Sequence, residues 1–303
     1  MLLSVAHRSA THALRAAKAV TRSYAAATHA VSSDGTRIAY TTTAGGGTPT
    51  LLINGWAGCA ADWGSLVDRL GGSGRRIVAF DPRGFGASGD GAAASVRTLS
   101  EDALAVARAV GSREAPVDVV GWSLGGLVAQ ELCCVAPSEV RRAVLASTSP
   151  GGDDFDKELI SRDFFDVFDG WSEDDTREGE IERRRAAAAA FVHASPERWV
   201  ERHVDALKAD VDAFVAVRRA AAAIRGQKAC ALAPFPDCAR LPEKRYLVLH
   251  GDVDPVVDAA LAARLAERAP GAKLLLLAGV GHRAWAQEPD EWCARVLDFL
   301  DAA

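Results

Sequence analysis

The chain has no apolar run approaching the roughly 18 residues that a membrane-crossing helix needs, and it contains no internal repeat. It also lacks a basic excess: 35 Lys and Arg stand against 40 Asp and Glu, a formal net charge of −5. The first absence excludes a multi-span membrane protein. The last argues against a general nucleic-acid binder, because neutralising phosphates takes a surplus of cations. Six cysteines (Cys59, Cys133, Cys134, Cys230, Cys238, Cys293) form no CxxC and no paired zinc spacing. Adjacent Cys133 and Cys134 cannot easily bridge each other. All six are expected to be reduced thiols, mostly core filler, in a reducing compartment. What is present is globular: 49% hydrophobic and 25% charged residues exclude disorder and collagen. A chain of 303 residues suggests one or two domains and can bury a large core without disulfides or metal.

Residues 1–33 contain no acid, and the first carboxylate is Asp34. Arg8, Arg15, Lys18 and Arg22 are spaced among Leu2, Leu3, Val5, Leu14 and Val20 with Ser and Thr between them. That is the amphipathic, acid-poor pattern of a transit peptide rather than a secretory signal. Arg22-Ser23-Tyr24-Ala25 resembles a mitochondrial processing site. Residues 1–24 are therefore expected to be a removable presequence directing the protein to the mitochondrial matrix. A chloroplast signal or a basic tail on a cytoplasmic protein are the alternatives.

Short apolar, β-branched runs alternate with helical patterns along most of the chain. Expected strands are Arg37–Tyr40, Thr50–Ile53, Ile77–Phe80, Val117–Val120, Ala143–Ala146, Tyr246–Leu249 and Lys273–Leu277. Several are near-continuous apolar runs, as strands covered on both faces should be. Expected helices are Leu99–Val110, Leu124–Val135, Asp258–Ala269 and Glu291–Leu300. This alternation predicts an α/β fold with a doubly wound, mostly parallel sheet. It breaks between Pro150 and Pro242, where Phe155–Phe168, Arg183–Phe191 and Arg198–Arg225 read as helices. The expected division is a core of residues 25–150 and 236–303 with a helical cap over 151–235.

The strongest motif is Gly121-Trp122-Ser123-Leu124-Gly125-Gly126, placed between an expected strand and an expected helix. A serine on so sharp a turn needs small residues two before and two after it. The turn lifts the hydroxyl to the N-terminus of the next helix, where free N–H groups and the dipole favour a developing oxyanion. A nucleophilic serine needs a base, and the base an orienting acid. Two later strand ends offer them. Tyr246–Leu249 leads into His250-Gly251-Asp252-Val253-Asp254, and Lys273–Leu277 into Gly279-Val280-Gly281-His282. Either Asp252 or Asp254 could be the acid.

Four motifs together make the chain resemble the α/β-hydrolase superfamily, over about residues 29–301: Gly-Trp-Ser-Leu-Gly-Gly, Asp81-Pro82-Arg83-Gly84-Phe85-Gly86-Ala87-Ser88, Gly251-x-x-Asp254 and Gly281-His282. The cap matches only in position and helical character. The resemblance implies Ser123 as nucleophile, His282 as base and Asp254, fourth in Gly-x-x-Asp, as the acid. It implies that the oxyanion hole is built from the N–H groups of Leu124 and Trp56. Most relatives carry His-Gly where this chain has Asn54-Gly55, a departure that leaves open how the oxyanion loop is held. Trp122 and Trp56 are the expected substrate-contacting aromatics. Serine at 123 argues against dehalogenase or epoxide-hydrolase chemistry, which in related families uses an aspartate there.

The resulting expectation is a serine esterase acting on a small-molecule ester or acyl substrate, with no cofactor, no metal and no nucleic-acid partner. Acyl transfer, carbon–carbon cleavage and cofactor-free peroxidase or oxygenase chemistry are alternatives on the same triad, and a non-catalytic binding protein is a further one. Gly84-Phe85-Gly86-Ala87-Ser88-Gly89 spells a dinucleotide fingerprint, but Asp81-Pro82-Arg83 separates it from the strand, so it is read as the family turn. His250, Asp252 and Asp254 alternate as metal ligands sometimes do, but no second cluster completes a site.

Overall fold

The computed structural model describes residues 28–56, 58–91, 95–111, 115–151, 156–160, 221–231 and 241–302. The presequence expected over 1–24 lies outside these residues, as does nearly all of the cap expected over 151–235. Eight strands form one sheet: β1 (Thr28–Val31), β2 (Arg37–Thr42), β3 (Gly46–Ile53), β4 (Arg75–Phe80), β5 (Val117–Trp122), β6 (Val140–Ala146), β7 (Arg245–Gly251) and β8 (Lys273–Leu277). Their order is β1-β2-β4-β3-β5-β6-β7-β8. β1 and β2 pair antiparallel, as do β2 and β4, and every other pairing is parallel.

Helices cover both faces: α1 (Ser65–Gly71), α2 (Val96–Val110), α3 (Leu124–Val135), α4 (Ala221–Ala231), α5 (Ala259–Arg268), α6 (Ala284–Gln287) and α7 (Pro289–Asp301). Local chemistry sets their ends. Ser95 caps α2 by accepting the Thr98 N–H, and Asp258 caps α5 by accepting that of Ala260. Pro289 opens α7, followed by Asp290 and Glu291 in a first turn that favours negative charge.

Alternation along the strands divides the core in two. Val117 and Val119 of β5, Ala143 and Leu145 of β6, and Tyr246 and Val248 of β7 pack with α2, α3 and α5. Val120 and Trp122, Val144 and Ala146, and Leu247 and Leu249 face α1, α6 and α7. A doubly wound sheet of this kind presents the carboxyl ends of its parallel strands as one edge, the usual position for a site in such folds. At the opposite ends, fully buried Asp118 is paired by Arg75 from β4 and Arg141 from β6, so β4, β5 and β6 are tied by charge as well as by ladder bonds.

One expectation is corrected. Cys59, Cys133, Cys230 and Cys293 are free, but Cys134 is disulfide-bonded. Successive helical residues point about 100° apart. Cys133 therefore faces the core and is fully buried, while Cys134 is turned to the half-buried side of α3. Two segments placed within the expected cap helices are partly described: Lys157–Leu159 is a 3-10 turn, and α4 continues past Arg225 to Ala231.

Candidate active site

Ser123 has φ 53° and ψ −120°, one of two described non-glycine residues with positive φ. Such a backbone is held against a cost of about 1–3 kcal/mol by its surroundings. The surroundings are explicit. A Cβ on Gly121 would collide with the carbonyl oxygen of Gly125, one on Gly125 with that of Ile53, and one on Gly126 with the Thr148 side chain. Thr148 donates its hydroxyl to the Ser123 carbonyl at 2.8 Å. Gln130 donates to the carbonyls of Gly126 and Ser149 at 3.2 and 2.9 Å. The turn is thus clamped from β6 and from within α3. Leu124 opens α3, so its N–H is among those with no carbonyl one turn back in the helix.

The loop after β3 passes directly over the serine. A Cβ built on Gly55 would lie 3.1 Å from the Ser123 Cβ and 2.7 Å from the Trp122 ring, so only glycine fits, and the Gly55–Trp56 peptide is brought against the elbow. Asn54 is buried and donates its side-chain N–H to the Cys59 carbonyl, closing the loop across its ends. Asp81, at the end of β4, accepts the Ala60 and Ala87 N–H groups at 3.0 and 2.9 Å. Burial pushes the Asp81 carboxyl above its ordinary pKa, opposed by those two hydrogen bonds. Asp81 thereby joins the segment after the β3 loop to the Asp81–Ser88 turn.

Asp254 and His282 meet at the ends of β7 and β8. His282 Nδ1 lies 2.8 Å from Asp254 Oδ2, and both side chains are buried. Burial alone would raise the Asp254 pKa. The nearby His282 and hydrogen bonds from His250 and His282 instead hold it well below the usual carboxylate range. Asp252 does something else: it is exposed and accepts the Gly279 N–H at 2.7 Å, tying the two loops together. A Cβ on Gly251 would collide with the Val280 carbonyl, so these loops are in backbone contact.

Trp122 links the two halves of the site. Its indole N–H donates to the His282 carbonyl at 3.0 Å, and its ring centroid lies 5.3 Å from the imidazole. It belongs to the core on the α1–α7 side, with Trp285 edge-on at 4.5 Å. Arg283 sits over both rings, 5.4 Å from Trp122 and 5.3 Å from Trp285. Trp122 is thus buried against the imidazole, and Trp56, also buried, lies on the loop after β3. Sequence reasoning missed the supports: Thr148, Gln130 and the contact of His250 with Asp254. Among the described residues no group of three or more His, Cys, Asp and Glu is arranged to hold a metal ion, and no helix is long and apolar enough to cross a membrane.

A strained serine elbow, whose neighbour Trp122 bonds the His282 loop, and a buried Asp–His pair lie on a doubly wound sheet. Residues 50–296 match the model of the alpha/beta hydrolase family, and the chain belongs to that family. A pimeloyl-[acyl-carrier protein] methyl ester esterase of Yersinia enterocolitica is 26% identical over 267 residues, spanning 82% of this chain and 92% of that protein. A hydrolase from Pseudomonas aeruginosa is similar in structure with TM-score 0.69 and 26% identity, over 91% of this chain and 98% of that one. An esterase from Exiguobacterium antarcticum superposes with TM-score 0.73 at 19% identity, over 91% of this chain and all of the other. The last likeness speaks to the fold alone.

Proposed function

We propose that the protein is a serine hydrolase that cleaves an ester-like bond of a small acyl substrate, with Ser123, His282 and Asp254 as its triad. The observation that carries this reading is the 2.8 Å contact of Asp254 with His282 Nδ1, together with a serine held at positive φ next to Trp122, which bonds the His282 carbonyl. With Nδ1 turned to the carboxylate, Nε2 is left to act on the serine proton. His282 removes the proton from Ser123 Oγ as Oγ bonds to the substrate carbonyl carbon. The resulting oxyanion is met by the N–H groups of Leu124 and Trp56, each contributing about 3–4 kcal/mol to the transition state. The leaving alcohol takes the proton back from His282, and an acyl-enzyme remains. Water, deprotonated by His282, then attacks the acyl carbon and releases the acid and Ser123. Asp254 stays ionised throughout, fixing the imidazole tautomer and stabilising the imidazolium.

An ester substrate is further supported by the relative named as a methyl ester esterase. The test is hydrolysis of short p-nitrophenyl esters. Ser123→Ala should lower the rate by about 10⁴-fold or more while the thermal unfolding midpoint stays close to that of the parent. Wild-type turnover by the variant would defeat the assignment.

A further inference from the structure

Asp254 carries more hydrogen bonds than one orienting contact requires. Oδ1 accepts the Val256 and Val257 N–H groups at 2.9 and 3.0 Å. Oδ2 faces two imidazoles, His282 Nδ1 at 2.8 Å and His250 Nε2 at 3.2 Å. A carboxylate has about four lone-pair sites, so all of its accepting capacity is engaged. His250 is fully buried at the end of β7, four residues before Asp254. Its Nε2 also lies 2.9 Å from the Val257 carbonyl oxygen, so this nitrogen faces two acceptors and no donor. Its Nδ1 is buried and meets no hydrogen-bond partner among the described residues. With two oxygen acceptors facing it, Nε2 carries a proton, shared between Val257 and Asp254.

We infer that His250 is a positioning residue for the reaction. Its Nε2–H pins Oδ2 of Asp254, the same oxygen that faces His282, and closes the 254–257 turn through Val257. The carboxylate is thereby held in the plane that His282 needs, and rotation of Oδ2 away from the base is blocked. On this reading His250 acts through Asp254, the residue it contacts. It was weighed in the sequence as a metal ligand, but the fold turns the ring toward the acid.

This inference rests on the Ser123–His282–Asp254 reading. Its test is a double-mutant cycle on p-nitrophenyl butyrate hydrolysis, using His250→Gln, His250→Leu and Asp254→Asn. Gln carries a donor where Nε2 stands and should keep kcat within about threefold, whereas Leu should lose about tenfold or more in kcat with KM within about twofold. In the Asp254→Asn background the Leu substitution should cost less than about twofold more, because the residue through which it acts is already impaired. If the Leu protein does not fold, His250→Asn, whose amide falls short of Oδ2, replaces it with the same expected loss. Equal losses in both backgrounds, a Gln variant as slow as Leu, or a Leu variant at wild-type rate would each overturn the inference. A wild-type rate for His250→Leu where Ser123→Ala is inactive overturns it alone, while an active Ser123→Ala overturns the triad.

Discussion

At the scale of single residues, two acids in one loop receive different tasks from two residues of spacing. Asp254 is buried against His282, and Asp252 is exposed on the Gly279 amide. Asp254→Asn should therefore lower kcat/KM by about 10⁴-fold, the cost of presenting the wrong tautomer, and Asp252→Asn by about threefold or less, because the amide oxygen can still accept the Gly279 N–H. Ester hydrolysis by both variants checks this, and equal losses would mean that the acid is misassigned. The thiols also separate by burial. Desolvation pushes Cys133 up to about 12 and Cys293 up to about 11, so both are protonated at neutral pH. Half-buried Cys59 should react with iodoacetamide at pH 8 well before either, as peptide mapping would show. The residues alone left Asp252 and Asp254 open, and the family resemblance singled out Asp254. His250 was not legible as its partner, because spacing gives the position of a side chain and not the direction its ring faces. Asn54 illustrates the same limit. The sequence displays the departure from His-Gly, and only the fold shows that the amide reaches Cys59.

At the scale of elements, β5, β7 and β8 run parallel, so Ser123, Asp254 and His282 leave the sheet at one edge although they lie far apart in sequence. The strands were readable because strands covered on both faces are near-continuous apolar runs. β1 was not, since Thr28–Val31 is a four-residue edge strand with a mostly solvent-facing pattern. Nor was α1, a seven-residue helix with two buried leucines, too short to display a period. The Asp81–Ser88 turn was recognised as a motif, but its anchor was not. Arg83 makes two hydrogen bonds to buried Asp102 of α2, at 2.7 and 2.6 Å, and a third to Asp34 at 2.8 Å. Arg83→Met would strand the Asp102 charge in the interior and should cost about 3–5 kcal/mol, most of it recovered in the double variant Arg83→Met/Asp102→Leu. Denaturant unfolding of the two proteins measures this. A single variant within about 1 kcal/mol of the parent would show that the turn is held by other contacts.

At the scale of the whole molecule, the sheet separates two cores with different duties. The core shared by α2, α3 and α5 supports the elbow. The other gathers Trp63, Trp122, Trp285 and Trp292 behind His282. The sequence had suggested substrate contact for Trp122. Alternation along β5 sends its ring to the same face as Val120, where it packs near the imidazole. The four motifs that marked the family are scattered from residue 81 to residue 282, and the sheet gathers them around one edge. The central claim is that this edge activates Ser123. A fluorophosphonate probe followed by peptide mapping tests it most directly, because such probes bond covalently to an activated serine. A single adduct on Ser123 is expected, absent from Ser123→Ala and formed much more slowly by Asp254→Asn. A folded protein that stays unlabelled, or an adduct on another residue, would contradict it.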